Sequence, residues 1–370
     1  MKVFIRRIHL ILALLSAGLL ISLSLSGALL LYAKEIQAWL SPQYWQVNSA
    51  DHLLHQQPLP LSSLVNHIEQ ETNTKIQFIQ RNPDPNKVWQ VRLSNKQYLN
   101  INPYTGDILL RHSFYDTFYG FIMAWHRWLL YSNDHGERPL QLWVSIACLI
   151  FIIEVVIGVY LWLKPKHRLK RLRVRWHAKK SILFHQLHGS LGLLLAFPLI
   201  LIAFSGISFY WPEISQKIVE QVTFSQIQQP IKIPTVTTSQ GKWLNSSLDQ
   251  AYYNAAQALP TGEVYRIYLP QEPTSALALR IQMPDESHAY SWSWANPYTG
   301  DVLQTFNAST TTLATQVWNF RYKFHIGEFI GWPIKMLWLL LSLLPCFFII
   351  SGIYLWRCRH TKSKRIANKC

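Results

Sequence analysis

The stretch FHQLHGSLGLLLAFPLILIAFSGISFYW, residues 184–211, decides the architecture. About 20 apolar residues cross the hydrocarbon core of a bilayer, and this run is long enough to do so. Two histidines, His185 and His188, fall in its first turns. An imidazole at the edge of a membrane helix marks a functional position by default, because ionisable groups there are costly. The stretch also has a counterpart at the start of the chain. Placing His188 on His9 puts Ser205-Gly206 on Ser26-Gly27, so the two segments run in step.

Working outward, the 370-residue chain holds four apolar blocks, at about 8–31, 140–163, 183–211 and 332–356. Each reads as a membrane span. Two long polar segments, 41–138 and 212–331, separate them. The formal net charge of +16 is concentrated rather than spread. The N-terminus, the loop KPKHRLKRLRVRWHAKK (164–180) and the tail from Arg357 hold 18 Lys and Arg and no Asp or Glu. The long polar segments carry 15 Lys and Arg against 17 Asp and Glu. This distribution follows the positive-inside rule. It places both termini and the 164–180 loop in the cytoplasm and both long segments outside. It also argues against nucleic acid, since the basic loop sits tightly between two spans. The segment 1–33 has the basic start and apolar core of a signal peptide. Its apolar run is long, it lacks a clear small-x-small site and it matches a mid-chain span, so it reads as a retained span.

Each polar segment reads as a helix followed by short strands. In the first, PLSSLVNHIEQETN (60–73) precedes strand-like runs and then NPYTGD at 102–107. In the second, SSLDQAYYNAAQALP (246–260) precedes three such runs and NPYTGD at 296–301. The motif reads as a hairpin turn with its glycine at positive φ. Its recurrence 194 residues later signals an internal repeat. The same offset aligns GVYLW (158–162) with GIYLW (352–356). Between these markers lie FYGFIMAWHRWLLY (118–131) and VWNFRYKFHIGEFIGW (317–332), each with one histidine before a span. The expected fold is therefore a mainly α membrane protein of four spans in two repeats, each repeat carrying a small outer α+β domain.

Four histidines occupy repeat-related positions. His9 and His188 begin spans on the cytoplasmic side, and His126 and His325 lie at the outer ends of the other two. Two imidazoles facing each other across a helix interface form the axial ligand set of a b-type haem. Two such pairs at opposite depths point to two haems and to electron transfer across the membrane. Gly189 and Gly192 leave room beside His188, and Ala13 lies one turn beyond His9. Arg127 is a candidate partner for a haem propionate. Trp125, Trp128 and Phe324 are placed either to pack on a ring face or to form an interfacial belt. His185, one turn from His188, is an alternative ligand; alignment with His9 favours His188.

His52, His55, His67, His112, His135 and His288 read as outer surface residues, and His167, His177 and His360 as solvated members of basic runs. Zinc or copper is the other use of paired histidines, but no carboxylate or thiol stands at matching spacing. Cys148 and Cys346 lie in spans and Cys358 and Cys370 on the cytoplasmic side, so no disulfide framework is expected outside. There is no CxxCH for covalent haem. Glu154, the one carboxylate deep in a span, reads either as a proton-handling group or as a carboxyl kept protonated against a neighbouring helix; its repeat partner is Phe348. Tyr290, Trp292, Trp294 and Tyr298 read either as strand core or as a docking surface.

The combination of RRIHLILAL (6–14), NPYTGD, WHR (125–127), LHG (187–189), FHIG (324–327) and SGIYLW (351–356) resembles the PepSY-associated transmembrane-helix family, often called iron-regulated inner-membrane proteins. The resemblance covers nearly the whole chain. Its best-understood members are di-haem reductases of ferric siderophores. The resemblance implies four spans, two PepSY-like periplasmic domains and two b haems, with His9, His126, His188 and His325 as ligands. His9 and His188 are not followed by the arginine usual in the family, which leaves a cytoplasmic propionate partner to Arg6, Arg7 or Lys180. The implied organisation is span 1 at 1–40, PepSY-like domain 1 at 41–113, an outer histidine segment and span 2 at 114–163, and the basic loop at 164–180. Span 3 at 181–211, PepSY-like domain 2 at 212–306, a second histidine segment and span 4 at 307–357, and a tail at 358–370 complete it.

The expected function is that of a multi-pass protein of the bacterial inner membrane, with lipid around its spans. It takes electrons from quinol or a cytoplasmic reductant and reduces an Fe(III)–siderophore docked in the periplasm between the outer domains, releasing Fe(II). Two rival readings are a membrane-anchored module that binds or restrains peptidases without redox activity, and a haem subunit that feeds a separate reductase. A transporter fits least, because four spans with one deep carboxylate offer little substrate pathway.

Overall fold

A computed structural model of the protein describes residues 2–47, 57–164, 172–228, 232–236 and 243–367. His52, His55, His167, Cys370 and the 165–171 part of the basic loop lie outside the described residues. In chain order the first elements are α1 (Lys2–Leu30), α2 (Ala33–Leu40), α3 (Pro42–Trp45), α4 (Leu61–Thr72), β1 (Ile76–Gln80), β2 (Trp89–Leu93), β3 (Tyr98–Ile101) and β4 (Ile108–His112). Next come α5 (Phe118–Trp128), α6 (Leu140–Leu163), α7 (Lys180–Leu194), α8 (Ala196–Ile207), α9 (Pro212–Thr223) and α10 (Asn245–Gln257). The last are β5 (Glu263–Tyr268), β6 (Leu277–Gln282), β7 (Ser291–Ala295), β8 (Val302–Phe306), α11 (Leu313–His325) and α12 (Trp332–Ala367). They belong to two compact units, one of Met1–Tyr32, Ile122–Ser215 and Tyr322–Cys370, the other of Ala33–Phe121 and Gln216–Arg321.

The first unit is a helical membrane unit. The helices α1, α6 and α12 are each long and apolar enough to cross a bilayer, and α7 with α8 forms a fourth candidate span that is bent by 65°. The apolar run 183–211 predicts one continuous helix there, and the structure breaks it at Leu195. Pro198, in the first turn of α8, explains the break: it lacks an N–H for the carbonyl of residue 194, and its ring crowds that carbonyl. The helix α1 packs on α6 and α12, α8 on α6, and α7 on α12. Their shared core includes Leu20, Leu23, Phe151, Leu199, Leu341 and Ile349. Only 22% of each continuous span window is buried within the protein. Side chains such as Leu15, Phe197, Leu340 and Ile350 face outward, so the spans are in contact with lipid. Buried serines let the helices approach closely, and Ser24 on α1 donates to the Ser342 carbonyl on α12.

The second unit is built on a sheet. Its strands form a single eight-stranded antiparallel sheet in the order β4-β3-β2-β1-β5-β6-β7-β8. Each polar segment supplies a four-stranded meander on its strand-like runs and NPYTGD turn, but the two are not separate domains. They join through β1 and β5, with Ile79 opposite Ile267, and bury one common core. Leu64 and Ile68 of α4, Ala251 and Ala255 of α10, and Ile79, Leu99, Leu279 and Ile281 of the strands all belong to it. Joining converts two exposed edge strands into central ones, which removes a pairing liability.

The two NPYTGD turns are superimposable in their bonding. Gly106 donates to the Asn102 carbonyl at 2.9 Å and Gly300 to the Asn296 carbonyl at 2.9 Å. The glycines sit at φ +87° and +83°, where a side chain is strained. Thr105 and Thr299 donate to Asp107 and Asp301 at 2.7 Å each. The motif is thus a turn device. Among the aromatic candidates, Trp294 is buried against Val236, Ala276 and Ala278. Tyr290 donates to the Asn319 carbonyl at 2.6 Å, and burial pushes its phenol up to about 12. Both are therefore structural, as the core reading expects.

Candidate functional site

The membrane unit brings the four repeat-matched histidines into two pairs. His9 on α1 faces His188 on α7, with ring centroids 6.5 Å apart and planes at 84°. His126 on α5 faces His325 on α11, at 6.2 Å and 50°. A metal–imidazole bond is about 2.0 Å and a ring nitrogen lies about 1.1 Å from its ring centre, so two imidazoles on opposite sides of one ion have centroids about 6.2 Å apart. Both pairs sit at that separation.

Hydrogen bonds decide which nitrogen each ring presents. The Ser351 hydroxyl donates to the Phe348 carbonyl at 3.2 Å, so its oxygen accepts from His188 Nδ1–H at 2.8 Å. Likewise Ser26 donates to the Ser22 carbonyl at 2.7 Å and accepts from His126 Nδ1–H at 3.0 Å. Ser205 donates to the Ile202 carbonyl at 2.7 Å and lies 2.9 Å from His325 Nδ1. That nitrogen is also 3.2 Å from the Ile202 carbonyl, which can only accept. Three of the four rings are therefore Nδ1–H tautomers with the Nε2 lone pair free, the arrangement that serves a metal ligand. His9 lacks such a hydroxyl, because the repeat position of Ser351 is Ile157. Its Nδ1 makes no well-formed hydrogen bond.

Glycines seat the rings. A Cβ on Gly27 would stand 3.1 Å from His126 Cε1, and one on Gly206 3.3 Å from His325 Cε1. Gly158 and Gly352 also lie beside His9 and His188, but a Cβ there would make ordinary van der Waals contact, at 3.8 and 3.7 Å. Ser26-Gly27 and Ser205-Gly206, which first served only to align the spans, thus carry an anchor and a seat for one histidine each.

Around the first pair lies a cavity of about 600 Å³, within the range of cofactor sites. His9, His188, His185 and Glu154 line it, as do Arg6, Arg7 and Arg359. The ring that pairs with His9 is His188, and His185 is a wall residue. The Ser16 hydroxyl, which donates to the Leu12 carbonyl at 2.9 Å, lies 3.2 Å from Oε1 of Glu154, the one buried carboxyl of α6. The sequence reading passed over Arg359; its position a few residues past the SGIYLW marker on the span 4 helix was the available signal. Arg127, next to His126, is exposed, with its guanidinium 5.6 Å from the Trp128 ring. Trp125 donates to Ser22 at 2.8 Å, Trp128 is covered by Arg138 at 3.7 Å, and Phe324 packs with Phe329 and Trp338. These aromatics hold helices together. No group of three or more His, Cys, Asp or Glu placed to hold a metal ion occurs among the described residues.

Fold and site together define a membrane protein with several apolar helices, a large antiparallel sheet and two histidine pairs between helices. Residues 6–359 match the family model for the PepSY-associated TM region, and the chain belongs to that family. No curated protein matches it.

Proposed function

We propose that the protein is a di-haem b electron-transfer protein of the bacterial inner membrane that reduces a ferric siderophore in the periplasm. The observation that carries this reading is the spacing of the paired imidazoles, 6.5 and 6.2 Å, which suits two ligands on one iron. His9 and His188 hold one haem, and His126 and His325 the other. Bound there, each haem supplies a one-electron Fe(III)/Fe(II) couple.

The chain's own residues perform the rest. Ser351, Ser26 and Ser205 fix the tautomer and orientation of three ligands. Arg6, Arg7 and Arg359 stand where carboxylate substituents of a macrocycle find partners. Helix α1 carries His9 near one end and Ser26, the anchor of His126, 17 residues later. That is about 25 Å of helix, so the two sites lie near opposite faces of a core about 30 Å thick.

In this reading α7 and α8 count as one broken span, the four spans form two repeats, and both termini are cytoplasmic. The PepSY-like meanders are periplasmic, and quinol or a cytoplasmic reductant is the electron donor. Reduction frees iron because hard oxygen donors hold Fe(II) far more weakly than Fe(III). The test is an anaerobic mix of dithionite-reduced protein, freed of excess reductant, with a ferric siderophore and an Fe(II)-trapping dye. Reoxidation of the protein with matching Fe(II) release supports the reading. A haem-loaded protein that stays reduced overturns the reductase step and favours a subunit that feeds another enzyme.

A further inference from the structure

The sheet's two faces are unlike. One carries the apolar core with α4 and α10. The strand registers place two transverse rows of residues on the other. In one row Tyr98 stands opposite Arg92, Phe78 opposite Tyr268 and Ala278 opposite Trp294. In the next, Gln80 stands opposite Arg266, Arg266 opposite Arg280 and Arg280 opposite Trp292. Neither row contains an Asp or Glu.

Arg266 and Arg280 are directly paired like charges on adjacent strands, an arrangement that destabilises a sheet. Arg92 lies on the same face, nearer the first edge. None of the three makes an ion pair among the described residues. The Nε atoms of Arg92 and Arg266 are buried without a hydrogen-bond partner. Hydrogen bonds and aromatic rings hold the guanidiniums in place: Arg266 donates to the Tyr268 hydroxyl at 3.1 Å and to Gln80 Oε1 at 2.5 Å, and Arg280 Nε donates to the Ala289 carbonyl at 2.5 Å. Arg266 lies 4.3 Å from the Phe78 centroid, and Arg92 5.7 Å from that of Tyr98. Arg280 is 5.9 Å from Trp292, which in turn sits 5.5 Å from Tyr268. The two polar segments are close to neutral in total, so this positive charge is local.

We propose that the Arg92–Arg266–Arg280 face of the sheet binds an anionic ferric chelate with aryl-oxygen ligands, of the tris-catecholate type. The inference rests on the reductase reading and names its substrate class. Three catecholates on Fe(III) carry three negative charges in total, and their rings present flat faces. The guanidiniums supply the opposite charge in desolvated surroundings, and Tyr98, Tyr268 and Trp292 supply stacking surfaces. A neutral trihydroxamate chelate offers neither feature.

The test is calorimetric binding to the full-length purified protein of a Ga(III) tris-catecholate siderophore, which is redox-inert, against a neutral Ga(III) trihydroxamate. Binding is thereby separated from reduction, so loss of the reductase reading leaves this result intact. The expected result is binding of the trianionic chelate at least about tenfold tighter than the neutral one, weakening with salt. Arg266→Gln and Arg280→Gln each lose about tenfold for the trianion and nothing for the neutral chelate. Arg280→Lys, which keeps the charge, retains most of the affinity and guards against a folding defect. Equal affinity for the two chelates, no binding of either, or unchanged trianion binding in both glutamine variants overturns the proposal.

Discussion

Ser351→Ala is the most informative single substitution. The Ser351 hydroxyl accepts the Nδ1–H of His188 at 2.8 Å, and this bond increases the electron density that the imidazole offers through Nε2. An electron-rich ligand would favour Fe(III) over Fe(II), so its loss should raise the midpoint potential of the haem proposed at His188. A buried hydrogen bond of this kind contributes about 0.5–1.5 kcal/mol, and a one-electron couple moves by about 59 mV per tenfold change in equilibrium, which predicts a rise of roughly 20–65 mV. Only one of the two haems should respond. The assay is an optical redox titration of the purified protein, fitted to two components, for wild type and Ser351→Ala. Ser26→Ala should move the other component by a similar amount. Ser205→Ala should move that one less, because His325 Nδ1 keeps the Ile202 carbonyl at 3.2 Å. A folded Ser351→Ala protein with both potentials unchanged, both raised equally, or one lowered would refute the assignment of His188 as an Nδ1-anchored ligand.

Three further outcomes are expected. His188→Ala and His325→Ala should each reduce haem content by about one per chain in a haemochrome count, whereas His185→Ala should keep the full complement, because the ring paired with His9 is His188. Gly120→Ala should unfold or strongly destabilise the sheet unit, since the added Cβ would stand 1.8 Å from the Phe114 carbonyl oxygen; expression level and thermal melting report it. Ile79→Ala, at the joint of the two meanders and fully buried, should cost about 2–5 kcal/mol, read as a lowered denaturant midpoint.

The histidine pairs were legible in the sequence because a bilayer penalises polar side chains so heavily that those kept in spans stand out. Their pairing followed once His9 aligned with His188, and once 118–131 and 317–332 each fell between markers that recur 194 residues apart, NPYTGD before and GVYLW or GIYLW after. Other features were hidden for physical reasons. The join of β1 to β5 links strands nearly 190 residues apart, and an alternating pattern tells which face a residue takes, not which strand it meets. The bend at Leu195 was signalled by Pro198, but the length of the apolar run outweighed it. The serine anchors depend on helix rotation, which places Ser26 and not Ser24 against a histidine. The arginine face needed the cross-strand register, since Arg92, Arg266 and Arg280 look like scattered surface charges in the chain.

The central claim is that each imidazole pair holds one haem iron. Its most direct test is a pyridine haemochrome count on the detergent-purified protein, together with oxidised and dithionite-reduced absorption spectra. The account predicts about two b haems per chain with a sharp low-spin α band, as paired histidine ligation requires. A colourless protein, purified from cells supplied with haem, would contradict it.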